Sequence, residues 1–567
     1  MIGIEYETQR LSLRFFLMML VLFVIQTGFG LLLAAQHIEP SLLSGVLNFN
    51  VARAEHTNLG LLWILTGFIA TILFVGPLLS KRELAAPWLI KFLFYALLGV
   101  VVWNILTQAL AQQGIAGWWL GQPWFQEGLE YLEAGRLADI VILVGFSILC
   151  YVVLRSFPPV SQWNEIHWGL ALGVVALTLV WIFGLFFIER LDLQEYFRWY
   201  VVHYWVEGVW EVIHISLVGF LVVLMFNANV KSVGYAVFWG IALVWLSGLI
   251  GNAHHYFWIG TPEFWQFWGS LFSALEPLPL IFCFWHIYLD AHHDRKPIAN
   301  MPAFAFLLGS VVLEQVGAGI LGFTMTFAMT NVWSHGTWIT VSHAHLALFG
   351  TFGMLGLAAA YYAVPLMRGV RHFDQRLGKL SFWLVFSGML GMAFAFAIGG
   401  TIQVFVYRTL GLDWFGGDIS NAMLGTKIMI PIFGLAFAIG VGILVYDLFT
   451  IGHRATYTPP VSSFGAVARS APASGWGRLL TGWEAGTWLL AMWFFGAIIT
   501  LGLLSFNLAG VRGGNPLFPY IMSGVGYPGL LLVTLLFVWR FLGSLTARSD
   551  VPVTNTAGGA PLAQPAD

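Results

Sequence analysis

Runs of about 20 apolar residues, broken by short polar segments, recur along most of the chain, the length a helix needs to cross a roughly 30 Å hydrocarbon layer. About fourteen such runs are present, near residues 11–35, 57–79, 87–111, 137–156, 166–188, 200–226, 234–256, 266–290, 302–328, 339–365, 380–406, 422–448, 485–507 and 526–546. They are rich in Leu, Phe, Trp and Gly and show no strand-like alternation. The pattern predicts an all-α polytopic membrane protein and not a barrel. The first run lacks a small-residue cleavage site and reads as a retained helix.

The polar segments divide the chain. Residues 112–136 form a loop with paired tryptophans and acidic residues. Residues 455–480 are rich in Ser, Pro, Ala and Gly and read as a linker. The expected organisation is a bundle of about twelve spans over 1–452, a cytoplasmic linker over 453–482, two further spans over 483–548, and a disordered tail over 549–567. All the candidate ligands below fall in the first twelve spans.

Composition sharpens the class. Of 567 residues, 59% are hydrophobic and only 9% charged, with a mean hydropathy of +0.81, so a soluble globular domain is excluded. The sequence offers no basic surface for nucleic acid, and the lipid bilayer is the expected surrounding. With both termini cytoplasmic, about 18 of the 25 Lys and Arg fall on the inner side. The expected setting is a bacterial or archaeal cytoplasmic membrane, N-in and C-in. The two cysteines, Cys150 and Cys283, lie in separate apolar runs. There is no Cys-x-x-Cys-His for covalent haem and no thiolate pair for a binuclear copper centre. Electrons must therefore arrive from a separate donor, a cytochrome c-type or cupredoxin protein, or from a quinol.

Six histidines and a carboxylate then stand out within the spans: His56, His203 with Glu207, His254 and His255, and His343 and His345. Ionisable groups in a bilayer are costly and mark cofactors, ion paths or proton paths. His56 opens the second span, His203 lies in the first turn of the sixth, His254 and His255 close the seventh, and His343 and His345 begin the tenth. On the expected topology all six share one depth, toward the outer face. Residues two apart on a helix point to opposite sides, whereas residues four apart share a face. His343 and His345 can therefore serve two haems, His203 and Glu207 face one point, and His254 and His255 can reach a common ion. Two axial imidazoles suit an electron-transfer haem, and one imidazole with an open position suits a haem that binds a diatomic. Three imidazoles and one carboxylate suit a non-haem iron better than copper, because the oxygen ligand is hard.

In the segments Asn50–Gly60, Trp199–Val212, Gly251–Thr261, Ser270–Leu280 and Ser334–Thr351, the chain resembles the catalytic subunit of bacterial nitric oxide reductase, in the haem-copper oxidase superfamily. The resemblance implies His56 and His345 as axial ligands of haem b, and His343 as the proximal ligand of haem b3. It implies His203, His254, His255 and Glu207 as ligands of a non-haem iron. Oxygen-reducing relatives typically use three histidines for copper, many with a tyrosine one turn after the first; here that position is Glu207. The implied reaction converts two NO, with two electrons and two protons, to nitrous oxide and water. Glu276 is implied as the nearby acid, with Ser273 and Thr326 as polar helpers and Glu211 in the same carboxylate cluster. Glu130 matches the family's calcium ligand, and Arg53 is placed to pair with a haem propionate. Twelve spans are typical of the cytochrome-dependent subunit and a long N-terminal extension of the quinol-dependent type. This chain shows two extra spans and no such extension, so the donor stays open.

One further expectation comes from spacing alone. Glu207, Glu211 and His214 run along one face of the sixth span, and Glu314 adds an acid in the ninth, a partial proton path from the cytoplasm. The competing readings are an oxygen reductase or NO-disproportionating relative on the same scaffold, and a transporter or haem-binding sensor. A transporter would show repeats, and the sequence shows none.

Overall fold

The computed structural model describes residues 4–115, 124–125, 133–278, 297–411, 417–454, 462–463, 491–492, 494–496, 498–499 and 522–546. Eleven helices among them are long and apolar enough to cross a membrane. In chain order these are α1 (Glu7–Gln36), α2 (Phe49–Ser80), α3 (Pro87–Gln112), α4 (Arg136–Ser156), α5 (Glu165–Leu185), α6 (Leu191–Phe226) and α7 (Val230–Tyr256). The shorter α8 (Phe264–Leu275) follows. Then come α9 (Met301–Thr326), α10 (Trp338–Met367), α11 (Arg376–Tyr407) and α12 (Leu424–Thr450). A last helix, α13 (Tyr527–Thr546), is also described. The only strand pairing among the described residues joins Pro297–Ile298 to Ser462–Ser463, antiparallel. Most of the linker, the tail and most of the expected thirteenth span lie outside the described residues, as does Glu130.

Polar residues at the ends set the helix boundaries. Asn48 accepts the Val51 N–H at 2.9 Å to start α2, and Asn164, Asn229 and Asn300 cap α5, α7 and α9 in the same way. Such caps satisfy N–H groups that the first turn leaves unpaired. Lys81 and Asn227 end α2 and α6 in the left-handed conformation, with φ of 53° at each.

Burial separates an inner set of helices from an outer one. The most apolar windows of α2, α6, α9 and α10 are 89%, 83%, 94% and 89% buried, against 28% for α3 and 33% for α4 and α12. The inner four carry His56, His203, Glu207, Glu314, His343 and His345. The outer helices turn large apolar side chains outward, such as Trp88, Phe92 and Tyr95 on α3 and Phe238 and Trp239 on α7, the dress of a lipid-facing surface. The core is held by close side-chain packing: Trp63 stacks on Phe23 at 4.3 Å, and Phe23 lies edge-on to Phe437 at 5.8 Å. α13 joins the bundle against α9 and α11, with Phe541 packed on Phe304 and Thr401 donating to the Tyr527 hydroxyl at 3.3 Å.

Two sequence expectations change here. α2 starts at Phe49, so His56 lies about two turns inside the helix rather than at its opening. α6 starts at Leu191, so His203 lies about three turns in. Hydropathy misses the start of α6 because residues 191–199 (LDLQEYFRW) mix charge with aromatics, although they are helical.

The inner helices also leave the α register. Tyr200–Trp210 in α6, Gln315–Leu321 in α9 and His345–Gly353 in α10 are π-helical. Wide π turns are rare and concentrate at functional sites.

Candidate metal centre

α6 supplies His203 and Glu207 from its π-helical stretch, and the end of α7 tightens into a 3-10 turn over Asn252–Tyr256 that carries His254 and His255. The two segments meet. His203 Nδ1 lies 3.1 Å from His255 Nε2 and 3.4 Å from Glu207 Oε2. The His203 ring stands perpendicular to that of His254, with centroids 4.7 Å apart. Ligand atoms of His203, His254 and His255 all lie within 4.8 Å of one another, and so do those of His203, Glu207 and Glu276. Glu276, at the end of α8, brings Oε1 to 4.0 Å from His203 Nε2. His203 is fully buried, and its Nδ1 is the ring atom that His255 and Glu207 approach.

Neighbouring groups orient these rings. Ser273 on α8 donates to the Gly251 carbonyl at 3.1 Å, so its oxygen accepts the His254 Nδ1–H at 2.6 Å. That leaves His254 Nε2 as the free donor atom, the usual arrangement behind a metal-bound imidazole. His255 lies flat against Trp199, with ring centroids 3.6 Å apart and planes 8° apart. Gly251 completes the enclosure. A Cβ there would sit 2.6 Å from both Glu276 Oε1 and Ser273 Oγ, so only glycine lets α7 approach α8 this closely.

The remaining histidines form a second arrangement. The rings of His56 and His345 face each other at 6.0 Å with planes 29° apart. His56 Nδ1 donates to the Gln26 carbonyl at 3.0 Å, and His345 Nδ1 to that of Val341 at 2.9 Å. Gly30 on α1 admits the His56 ring, since a Cβ there would lie 2.8 Å from its Cε1. His343 turns to the opposite side of α10 and donates from Nδ1 to the Gly317 carbonyl at 2.8 Å. That carbonyl also accepts the Gly322 N–H, one π turn on. His343 is within electrostatic range of Glu207, His254 and His255.

The residues fit the metals that the sequence suggests. Two donors held about 2.1 Å from one tetrahedral ion lie roughly 3.4 Å apart, which matches the His203–Glu207 and His203–His255 separations. Two imidazoles on opposite sides of one metal place their ring centres about 6 Å apart, as His56 and His345 do. The Nδ1–H of His343 and His345 is committed to a backbone carbonyl in each case, so each Nε2 is left to bind; His56 Nδ1 has the Gln26 carbonyl, but the Gln26 amide nitrogen lies 3.3 Å from His56 Nε2 and would have to turn aside for a metal.

Other expected site residues are placed as follows. Glu211 is buried one turn beyond Glu207, and its Oε2 has no partner. Ser273 joins the cluster; the Thr326 hydroxyl donates instead to Phe323 of its own helix at 3.1 Å. Arg53 lies 3.6 Å from the buried Glu133, which also accepts from Asn58 at 2.9 Å. His214 and Glu314 meet at 3.4 Å, away from the cluster. Sequence reasoning did not single out Trp199, whose signal is an aromatic one turn before a candidate ligand.

Comparison with known proteins identifies the family. The profile of the family "Cytochrome C and Quinol oxidase polypeptide I" matches residues 10–416. A nitric oxide reductase subunit of Stutzerimonas stutzeri is 30% identical over 411 residues, 71% of this chain and 86% of that protein. Cytochrome c oxidase subunit 1 of Corynebacterium diphtheriae is 32% identical over a shorter stretch of 97 residues, 17% of each chain. A haem-copper terminal oxidase solved as a dimer by cryo-EM shares the fold, with a TM-score of 0.61 at 14% identity, covering 90% of this chain and 94% of that one. Haem and iron are the cofactors this kinship implies. The chain belongs to the cytochrome c and quinol oxidase polypeptide I family of haem-copper oxidases, and it is a membrane oxidoreductase.

Proposed function

We propose that this protein is a nitric oxide reductase, converting two NO, two electrons and two protons to nitrous oxide and water. The observation that carries the reading is Glu207, a carboxylate 3.4 Å from His203 at the edge of a three-histidine cluster. An oxygen ligand of this kind favours iron over copper and cannot supply the phenolic hydrogen of a tyrosine. The extended similarity to a nitric oxide reductase subunit supports it.

In this reading His203, His254, His255 and Glu207 hold a non-haem iron, His343 holds haem b3, and His56 and His345 hold haem b. Together these groups supply electrons and Lewis acidity to bound substrate. The chain's own side chains do the rest. Ser273 fixes the His254 ring, and the Trp199 face fixes that of His255. Glu276, with Oε1 lacking a protein partner, is placed to deliver a proton to the oxygen that leaves as water. Glu211 lies behind it as the next acid.

The Lys and Arg distribution supports an N-in, C-in orientation with the metal sites toward the outer side. The electron donor would be a cytochrome c-type or cupredoxin protein, or a quinol. Metal content tests the assignment directly: iron and copper by elemental analysis, haem by its pyridine spectrum. About three irons per two b-type haems, no copper, and nitrous oxide formed from NO by the reduced protein are expected. Copper in place of the third iron, with oxygen consumed and no nitrous oxide formed, would overturn the reading in favour of oxygen reduction.

A further inference from the structure

Beyond the metal cluster, the interior of the inner helices holds a second group of titratable side chains that the proposed chemistry does not use. His214 on α6 and Glu314 on α9 are 1% and 2% exposed, and His214 Nδ1 lies 3.4 Å from Glu314 Oε1. Ser310, one turn from Glu314, donates to the Thr351 carbonyl at 2.6 Å. Its oxygen therefore accepts the His214 Nε2–H at 2.9 Å. With Nε2 committed as a donor, His214 Nδ1 is left beside the Glu314 carboxyl, and neither atom has a hydrogen-bond partner, so the pair has room for one proton.

Unmade hydrogen bonds concentrate around this pair. Glu314 Oε1, Glu211 Oε2, both amide atoms of Gln315, Thr351 Oγ1 and Trp210 Nε1 are buried without a hydrogen-bond partner. Interior polar groups are seldom left this way without a role. Glu207, Glu211 and His214 follow one another on α6 at steps of four and three residues, and Glu211 is within electrostatic range of both Glu314 and Glu207. In the other direction along α9, Ser310 is followed by the buried Phe306 and Leu307, with Met354 and Phe382 against Gly309. Farther on, Tyr361 stacks on Phe306 at 5.6 Å and is bonded to Asp447 at 3.1 Å. A polar group backed by these apolar side chains along α9 suits holding a proton.

We propose that Glu314 and His214, linked to the metal cluster through Glu211, form a proton store that fills when the metal centres are reduced and empties into the cluster during turnover. The inference rests on the redox reading above. The proton leaves Glu314 Oε1 or His214 Nδ1 and passes by Glu211 to the oxygen released at the cluster, and the pair refills from water. Only O–H and N–H bonds change, and the electrons remain those carried by the metals, so the stoichiometry of the reaction is untouched.

Reduction without substrate isolates this step. The metal-loaded protein is reduced electrochemically in unbuffered detergent solution while a pH dye counts protons and infrared difference spectra follow the carboxyl C=O region. Glu314→Gln and His214→Asn are each expected to take up about one proton fewer than the unsubstituted protein. A C=O band should vanish in Glu314→Gln, shift in Glu314→Asp and persist in Glu211→Gln. Equal proton counts in all variants, or a carboxyl region unchanged by reduction in the unsubstituted protein, would overturn the store. If Glu314→Gln loses haem, the Glu314→Asp shift and the unsubstituted spectrum still decide. Nitrous oxide yield, measured in parallel, reports on the proposed reaction separately.

Discussion

The Trp199 indole lies flat on the His255 imidazole, 3.6 Å between ring centres and 8° between planes. The indole is held in turn by its N–H, which donates to Glu195 Oε2 at 2.8 Å, and by the Arg198 guanidinium 5.3 Å from its centre. A ring pressed against such a plate keeps its orientation whether or not an ion is bound. Trp199→Leu should therefore weaken non-haem metal binding by about 10–100-fold, the usual effect of losing a group behind a ligand, with both haems retained. Iron per haem after dialysis against a mild chelator measures this, and Trp199→Phe should keep most of the metal.

On the proposed reading Glu207 is a ligand and Glu211 a proton carrier, and substitutions at the two separate these roles. Glu207→Gln keeps the shape but removes the charged oxygen donor beside His203. It should lower the non-haem metal content and reduce nitrous oxide formation by about 100-fold or more, since losing one metal-site donor costs on this order. Glu211→Gln should keep full metal occupancy and slow only turnover. Equal metal loss in both variants would mean that Glu207 is not a ligand.

Gly251→Ala tests how tightly α7 and α8 are joined. The added methyl would meet the Glu276 carboxyl and the Ser273 hydroxyl, and overpacking of this kind costs about 1–3 kcal/mol. A lower thermal midpoint is expected, together with slower turnover as Glu276 is displaced. Gly28→Ala, which meets nothing within 4 Å, serves as the control.

His37, just past the end of α1, gives a pH signature outside the spans. Burial, and secondarily the charge of Lys427, hold its imidazole down to about 4, where it packs edge-on against Trp338 and Phe49. Because the folded value lies below the ordinary 6.5, the unfolded chain binds more protons between those limits. Stability should therefore be intact above pH 6.5 and decline as pH falls toward 4. His37→Gln should flatten that part of the thermal-stability profile in detergent.

The helical class, the span-length runs and the histidine spacing were legible in the sequence because each follows from local pattern: apolar run length, adjacency at His254–His255, and the four-residue step from His203 to Glu207. The convergence of His203 with His254 and His255 rests on how α6 meets α7, which no spacing within either helix encodes. The contact between His214 and Glu314 is likewise tertiary. Ser273 was suggested only by resemblance, and its role behind His254 emerges from the approach that Gly251 permits. The early start of α6 was hidden because charged and aromatic residues in its first turns mimic a loop in hydropathy. The π stretches left no sequence mark, since their register is set by the neighbours they pack against.

Those π stretches have a consequence for how this protein can change. A wide turn accommodates residues without a matching gain in helix length, so a single-residue deletion within Tyr200–Trp210 would barely shorten α6 as a membrane span. It would draw the wide turn back toward α-helical pitch and leave the helix beyond it nearly in place, while a deletion between His203 and Glu207 would change the step that brings those two groups together. Point substitutions alter the site one group at a time, but a deletion here would reshape the stretch that carries both groups without disturbing the rest of the span.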